Sequence, residues 1–245
     1  MIRLYVDQNL AAGQGVAVSA PQAHYLGHVM RLKPGAEVAL FNGRDGEWSA
    51  RLATIGRGAA TLAPERQTQP QSAGPDLWLL FAPIKRAPVD FVAAKATELG
   101  VSALRPVITR NTVVSRVNLE RLRANAIEAA EQTGRLDIPE VFAPVALDAR
   151  LADWPAGRRI LMCDESGTAP PIAAALAAFA GAKPGPWAVL IGPEGGFSAA
   201  ELDALAKTPF VTRVGLGPRL LRADTAALAA LSCWQATIGD WRGRP

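Results

Sequence analysis

The chain is poor in the residues that several common chemistries need. It has two cysteines and two histidines in 245 residues. Cys163 and Cys233 stand far apart, and neither has a Cys or His at ligand spacing. Disulfide and zinc chemistry are therefore not expected, and both thiols read as buried, reduced, small apolar groups. His24 and His28 are four positions apart, as metal ligands on a helix can be, but no third ligand lies nearby and no metal is expected. Long apolar runs are missing too. The most apolar stretch, Ile172 to Ala182, is about half of the ~20 residues a bilayer crossing needs, so no membrane partner is expected. The opening MIRLYVDQNL mixes charges into its apolar residues and does not read as a signal peptide, which makes a cytoplasmic protein the expectation. There is no basic tail. The net charge is +4 with a pI near 9.4, and the small excess is shared between the first 75 residues and the remainder. A nucleic-acid partner would have to meet arginines gathered on a folded surface.

Two phosphate-binding signatures are also absent. The first strand of the α/β region is followed by APIKRAP, without the glycines of a dinucleotide fold. The one conspicuous glycine loop, in VLIGPEGGFS, does not end in Lys and then Ser or Thr, and it carries Glu194 instead. A carboxylate beside a triphosphate would repel it, so a P-loop is excluded.

What is present divides the chain in two. The first seventy residues alternate short β-like runs (GAEVALFNG, GEWSARLATI, GAATLAPE) with Gly, Asn and Asp turns, which predicts a small all-β domain over 1–70. The polar, Pro- and Gly-rich PERQTQPQSAGP, residues 64–75, reads as a linker. From 76 to 245 strands and helices alternate, which predicts an α/β domain with a mostly parallel sheet covered on both faces. Ligands of such sheets bind beyond the carboxyl ends of the strands, so the loops after WAVLI and VTRVGL are the candidate site.

In the first of these loops Ser198 and Glu201 form a capping box that starts a helix at Ala199 and leaves Gly192 to Phe197 free. Such glycines suit a flat, neutral group held by backbone atoms, or else merely close packing of strand on helix. In VGLGPRLLRADTAALAAL, Gly217 and Pro218 stop the strand, Leu220 and Leu221 read as buried, and Asp224 or Thr225 as the cap of the last helix. Arg219 and Arg222 between them are either placed to meet an anionic or developing-anionic group or are surface arginines of a turn. Glu131 and Arg135 in EAAEQTGR share a helical face, either as an ion pair or, with Gln132, near the site. Arg110 ends a strand in ITRNT. Arg31 and Lys33 add cations to the segment that holds His24 and His28. The six tryptophans are scattered and read as core.

Along nearly its whole length the chain resembles the SPOUT superfamily of RNA methyltransferases, and within it the family that methylates N3 of a uridine in 16S ribosomal RNA. The resemblance is carried by HYLGHVMRLKPGAEVALFNG, KATELGVSALRPVITRNT, EAAEQTGRLDIPEV, LIGPEGGFSAAEL and LGPRLLRADTAAL. It departs at Ala223-Asp224, where the family usually has Thr-Glu. It implies a PUA-like RNA-binding barrel followed by a domain whose parallel sheet is tied in a trefoil knot. It also implies S-adenosylmethionine as cofactor, a homodimer, and 16S rRNA of the small subunit as partner. The donor would be wrapped by Leu190, Ile191, Gly192, Pro193, Glu194, Gly195 and Gly196, and by Leu216, Gly217, Pro218, Leu220 and Leu221. Arg222 and Asp224 are the catalytic candidates. His24, His28, Arg31, Lys33, Arg110 and Arg135 are the candidates for RNA. Glu194 either meets the donor, whose sulfonium it would suit, or braces its own loop through backbone N–H groups.

Overall fold

A computed structural model of the chain describes residues 1–84, 86–114, 116–181 and 185–243. It divides into two compact units. One comprises Met1–Ala73 with Ala130–Ile138, the other Gly74–Ala129 with Pro139–Pro245.

The first unit is a five-stranded sheet in the order β1-β3-β4-β5-β2. Its strands are β1 (Ile2–Tyr5), β2 (Val16–Val18), β3 (Glu37–Phe41), β4 (Glu47–Gly56) and β5 (Ala59–Gln69). β1 runs parallel to β3 and the other pairings are antiparallel. Between β2 and β3 lies α1 (Ala20–His24), begun by a Ser19/Gln22 capping box and continued by a π-helical turn, Tyr25–Val29. Leu4, Leu26, Val38, Leu40, Leu52 and Leu62 fill the core with at most 2% exposure. The linker expected over 64–75 begins only after Gln69. Residues 64–69 continue β5 against β4 through two register shifts, with the Thr68 hydroxyl donating to the Glu47 carbonyl at 3.1 Å. Cross-strand pairing overrides a composition that on its own reads as coil.

Residues 130–138 are fastened to this unit by Arg3. Its Nε donates to Glu47 Oε2 at 2.7 Å, and its Nη atoms reach the carbonyls of Ala130 and Arg135 at 2.7 and 2.6 Å. Both members of the Arg3–Glu47 pair are nearly enclosed, and the guanidinium lies over the Phe41 ring. A guanidinium with this many acceptors is satisfied in a way a buried lone charge could not be.

The second unit is built on a seven-stranded sheet. Its strands are β6 (Leu77–Phe81), β7 (Ala103–Ile108), β8 (Glu140–Val141), β9 (Val145–Ala146), β10 (Arg159–Cys163), β11 (Trp187–Ile191) and β12 (Val211–Val214). The order is β12-β10-β11-β6-β7-β8 with β9 also on β7, and every pairing is parallel. The helices are α2 (Arg86–Glu98), α3 (Leu119–Thr133), α4 (Leu147–Ala152), α5 (Ile172–Ala177), α6 (Ala199–Ala206) and α7 (Ala223–Thr237), and a 3-10 turn, Asp240–Arg242, follows. Apolar clusters lie on both faces, one around Leu79, Val189 and Trp234, the other around Leu80, Ile160 and Leu190. The α/β class read from the alternation is the class found. In the apolar stretch from Ile172 the helix α5 ends at Ala177, with Ile172 and Leu176 its buried residues. Trp187 and Trp234 are core, whereas Trp241 is 54% exposed. No helix of the described residues is long and apolar enough to cross a membrane.

Candidate active site at the carboxyl edge of the parallel sheet

Because the strands are parallel, their carboxyl ends share one edge. β6 leads to β7 on one side while β10, β11 and β12 lie on the other, so the direction of winding reverses between β6 and β11. This is where an open α/β sheet leaves a crevice for a ligand. The glycine loop 192–198 leaves the sheet at this point, with the Ala82 N–H bonded to the Ile191 carbonyl at 3.0 Å.

Leu190 and Ile191 are fully buried in β11 and offer only backbone atoms to a ligand. Beyond them Gly192 and Pro193 turn the chain. A Cβ on Gly192 would stand 2.9 Å from the Phe197 ring, and Gly196 takes a φ of +65°. The Ser198/Glu201 capping box forms as read from the sequence, with Ser198 N–H to Glu201 Oε2 at 2.8 Å and Glu201 N–H to Ser198 Oγ at 3.3 Å. Glu201 also accepts the Arg110 N–H at 2.8 Å, which ties the loop after β7 to α6. Burial alone would raise the Glu201 carboxyl; the N–H groups of Arg110 and Ser198 outweigh it and hold it below the usual carboxylate range.

Bracing of the loop, one of the two roles open for Glu194, falls to another residue. Glu194 is exposed, and no hydrogen bond or ion pair engages it among the described residues. The brace is Asn111, whose Nδ2 donates to the carbonyls of Gly195 and Gly196 at 3.0 and 3.1 Å. The sequence signal for Asn111 was slight: a short amide after a strand, in ITRNT. A second contributor missed in the sequence is the loop after β10. Its Glu165 carboxylate lies against Gly196, close enough that any Cβ there would collide with it. That loop is pinned by the buried Asp164, which accepts the Ser166 N–H at 2.8 Å and pairs with Arg213 of β12. Burial would raise the Asp164 carboxyl, and the Ser166 and Arg213 hydrogen bonds more than reverse it, leaving it lowered.

The loop after β12 is fixed at its base, where Gly215 exchanges hydrogen bonds with Pro170 and Ile172. Beyond it Leu216 is half-buried, while Gly217, with a φ of +107°, and Pro218 are exposed. Two expectations fail here. Leu220 is 77% exposed and Leu221 only half-buried, because nothing packs on the crest of the loop. The N-cap of α7 is Arg222 in an extended conformation with no side-chain bond; Asp224 lies inside the first turn and accepts the Thr225 N–H at 2.7 Å. Arg219 and Arg222 are exposed, and among the described residues no hydrogen bond or ion pair engages either, nor does one join side chains of 216–222 to the glycine loop. The edge thus presents arginines, two unpaired carboxylates (Glu165 and Glu194) and a glycine backbone without a cation in it.

The remaining candidates lie in the first unit. His24 and His28 are exposed and stacked, with ring centroids 4.7 Å apart. Arg31, with a φ of +54°, and Lys33 are exposed just beyond. Arg135 is not on a helical face with Glu131: α3 ends at Thr133, Gly134 turns the chain with a φ of +77°, and Arg135 pairs with Asp137 at 2.9 Å. Glu131 accepts the Tyr5 N–H at 2.9 Å, and Gln132 is exposed. Cys163 and Cys233 are free and half-buried; burial first, and then Cys233, pushes the Cys163 thiol up to about 12. Among the described residues no group of three or more His, Cys, Asp or Glu side chains could hold a metal ion.

Comparison with known proteins places this parallel sheet, its glycine loop and the small β unit among the RNA methyltransferases. The family model for the RNA methyltransferase domain matches residues 71–235, and that for the RNA methyltransferase PUA domain residues 18–65. The chain is 30% identical to a ribosomal RNA small subunit methyltransferase E of Rickettsia conorii, over 94% of this chain and 93% of that one. It is 32% identical to the Synechocystis protein of the same name, over 94% of this chain and 76% of the relative. A ribosomal RNA small subunit methyltransferase E from Neisseria gonorrhoeae, solved bound to S-adenosyl methionine, superposes with a TM-score of 0.86 at 28% identity and covers 98% of this chain and 99% of its own. The chain belongs to the ribosomal RNA small subunit methyltransferase E family.

Proposed function

We propose that this protein transfers a methyl group from S-adenosylmethionine to N3 of a uridine in the 16S ribosomal RNA of the small subunit. It does so as a cytoplasmic homodimer, with residues 1–70 as the RNA-binding PUA-like barrel and 76–245 as the catalytic domain, knotted as its family resemblance implies. The observation that carries the reading is the glycine loop at the switch point, in a chain that aligns with this family over almost its full length.

The residues of that loop fit the donor. S-adenosylmethionine has no phosphate and is cationic at its sulfur, and the loop supplies bare backbone, no cation, and the unpaired carboxylates of Glu165 and Glu194 beside it. Backbone atoms of Leu190 to Gly196 and of Leu216 to Leu221 would hold it. When bound, it supplies a methyl group already activated for displacement. The chain then has to orient the acceptor and stabilise its charge. Uridine N3–H is a weak acid, and charge spreads onto O2 and O4 as its proton passes to water; N3 then takes the methyl group as its bond to sulfur breaks, which leaves a neutral thioether. Arg222, exposed and unpaired at the start of α7, is the group that stabilises this charge. Asp224, held by the Thr225 N–H, sets the first turn of α7 and with it the backbone that carries Arg222. Arg110, whose backbone is bound to Glu201, adds a cation at the same edge for RNA. His24, His28, Arg31 and Lys33 meet RNA phosphates, and Arg135, held by Asp137, is a further candidate for RNA.

Calorimetry with S-adenosylmethionine, followed by a comparison of assembled small subunits with free 16S rRNA as methyl acceptors, tests the reading. Donor binding with label accepted by either form supports it. Absence of donor binding overturns it.

A further inference from the structure

A stack of alternating aromatic rings and guanidinium groups is built by Trp78 of β6, Arg105 of β7, Phe142 just after β8 and Arg158 just before β10. The Arg105 guanidinium lies 3.5 Å from the centroid of Phe142 and 3.7 Å from that of Trp78. Arg158 lies 3.5 Å from the same Trp78 centroid. Two guanidinium groups this close to one ring occupy its opposite faces, so the order is Phe142, Arg105, Trp78, Arg158.

The two arginines differ in their partners. Arg158 is held at its Nη groups by the Asp76 carboxylate, at 2.8 and 2.7 Å, and by the Trp187 carbonyl at 2.9 Å, while its Nε, like that of Arg105, is enclosed without an acceptor. Arg105 has no such partner. Among the described residues no hydrogen bond or ion pair engages it, and its Nε is enclosed without an acceptor. Burial, then the like charge of Arg150, brings the Arg105 guanidinium down to about 10, with Glu140 and Asp76 opposing and Arg158 adding to the effect. It is still a cation at neutral pH. Arg150, on α4, also has no hydrogen bond or ion pair among the described residues.

For stability alone this is a poor arrangement, since the like charge of Arg150 acts on Arg105, and of the two acids that oppose it Asp76 is already paired with Arg158, which leaves Glu140. A neutral side chain could fill the gap between Phe142 and Trp78 at less cost. The stack does fix the guanidinium plane: both faces are covered and Nε is enclosed, which leaves the two Nη groups as the edge open to a ligand. A fixed, planar pair of donors matches the oxygens of a phosphate, and an anion there would relieve the repulsion from Arg150.

We propose that the Nη edge of Arg105, with Arg150 beside it, binds a backbone phosphate of the RNA substrate through residues outside the glycine loop. The proposal rests on the reading that this substrate is RNA. A contact of this kind positions a long polyanion without reading its bases.

The test is binding of a transcript of small-subunit rRNA to the full-length chain, to Arg150→Gln and to Arg105→Gln, from about 50 to about 200 mM salt. Each substitution should make the slope of log K against log salt less steep by about 0.7–0.9, which over that range is an affinity gain on dilution about threefold smaller than that of the unaltered chain. Arg150 lies outside the stack, so Arg150→Gln should keep both its thermal midpoint and its affinity for S-adenosylmethionine. Arg150→Gln and Arg105→Gln chains that are folded and keep the original slope and affinity would overturn the proposal. If in that case the unaltered chain also methylates the subunit, only this site is wrong. If the unaltered chain neither binds the transcript nor transfers methyl groups, the functional reading falls with it.

Discussion

Asn111→Ala separates the support of the glycine loop from the stability of the fold. Asn111 is exposed on the loop after β7, and its amide donates to two successive carbonyls, those of Gly195 and Gly196. A net hydrogen bond of this type contributes about 0.5–1.5 kcal/mol, and two exposed ones sharing a single amide sit near the lower end of the sum, about 1 kcal/mol. The folded state would lose little of this, because the carbonyls released can turn to water. For a domain of this size 1 kcal/mol corresponds to about 2–4 °C in the midpoint, which is the upper limit expected. The loss should instead fall on the donor, since a loop that must be reordered on binding pays that entropy each time. We expect about a fivefold weaker Kd for S-adenosylmethionine by calorimetry, the equivalent of ~1 kcal/mol, and a thermal midpoint within a few degrees of the unaltered chain. A donor affinity that does not change would refute the role of Asn111 as the brace. A midpoint lowered by about 10 °C would refute the claim that the brace is local.

Arg222→Ala should lower turnover by about 10²–10³ while leaving donor affinity nearly intact, the pattern for a group that acts on charge formed in the transition state; equal losses in single-turnover rate and in donor Kd would contradict it. The Asp164 carboxyl is lowered in the folded chain, so its contribution to stability is present above the unfolded value near 3.9 and is lost as pH falls below it toward the folded value. Urea midpoints measured from about pH 6 down to about pH 3 should therefore fall less steeply for Asp164→Asn, from a lower starting point, than for the unaltered chain; parallel curves would contradict the pairing with Arg213. Gly46→Ala drives a Cβ into the backbone oxygen of Gln69 at a φ of +74°. It should cost at least ~2 kcal/mol and lower the midpoint by about 4–8 °C, with donor binding kept below the transition; an unchanged midpoint in a thermal scan would show that the turn yields freely.

The legible parts of this protein are those where one local rule decides the outcome. The Ser198/Glu201 box placed the start of α6 because the capping partners are three residues apart in sequence. The alternation after residue 76 gave a parallel sheet because helices cover both its faces. Where distant residues decide, the reading failed. Residues 64–69 look like coil until β4 pairs with them. Asn111 and Glu165 come to the glycine loop from two other strands, and no spacing within VLIGPEGGFS announces them. Leu220 looked like core because apolar residues usually are, yet it rides on the crest of its loop. Asp224 or Thr225 reads as a cap because short polar side chains favour that position, but the cap is Arg222 and the helix begins at Ala223, two residues before a cap at Asp224 would start it.

The central claim is tested most directly by methyl transfer from labelled S-adenosylmethionine to small ribosomal subunits that lack the modification, with nucleoside analysis of the digested RNA. The account predicts label in 3-methyluridine, and far less of it with Arg222→Ala. Label in a 2′-O-methylated or other nucleoside, or no label from a chain that binds the donor, would contradict it.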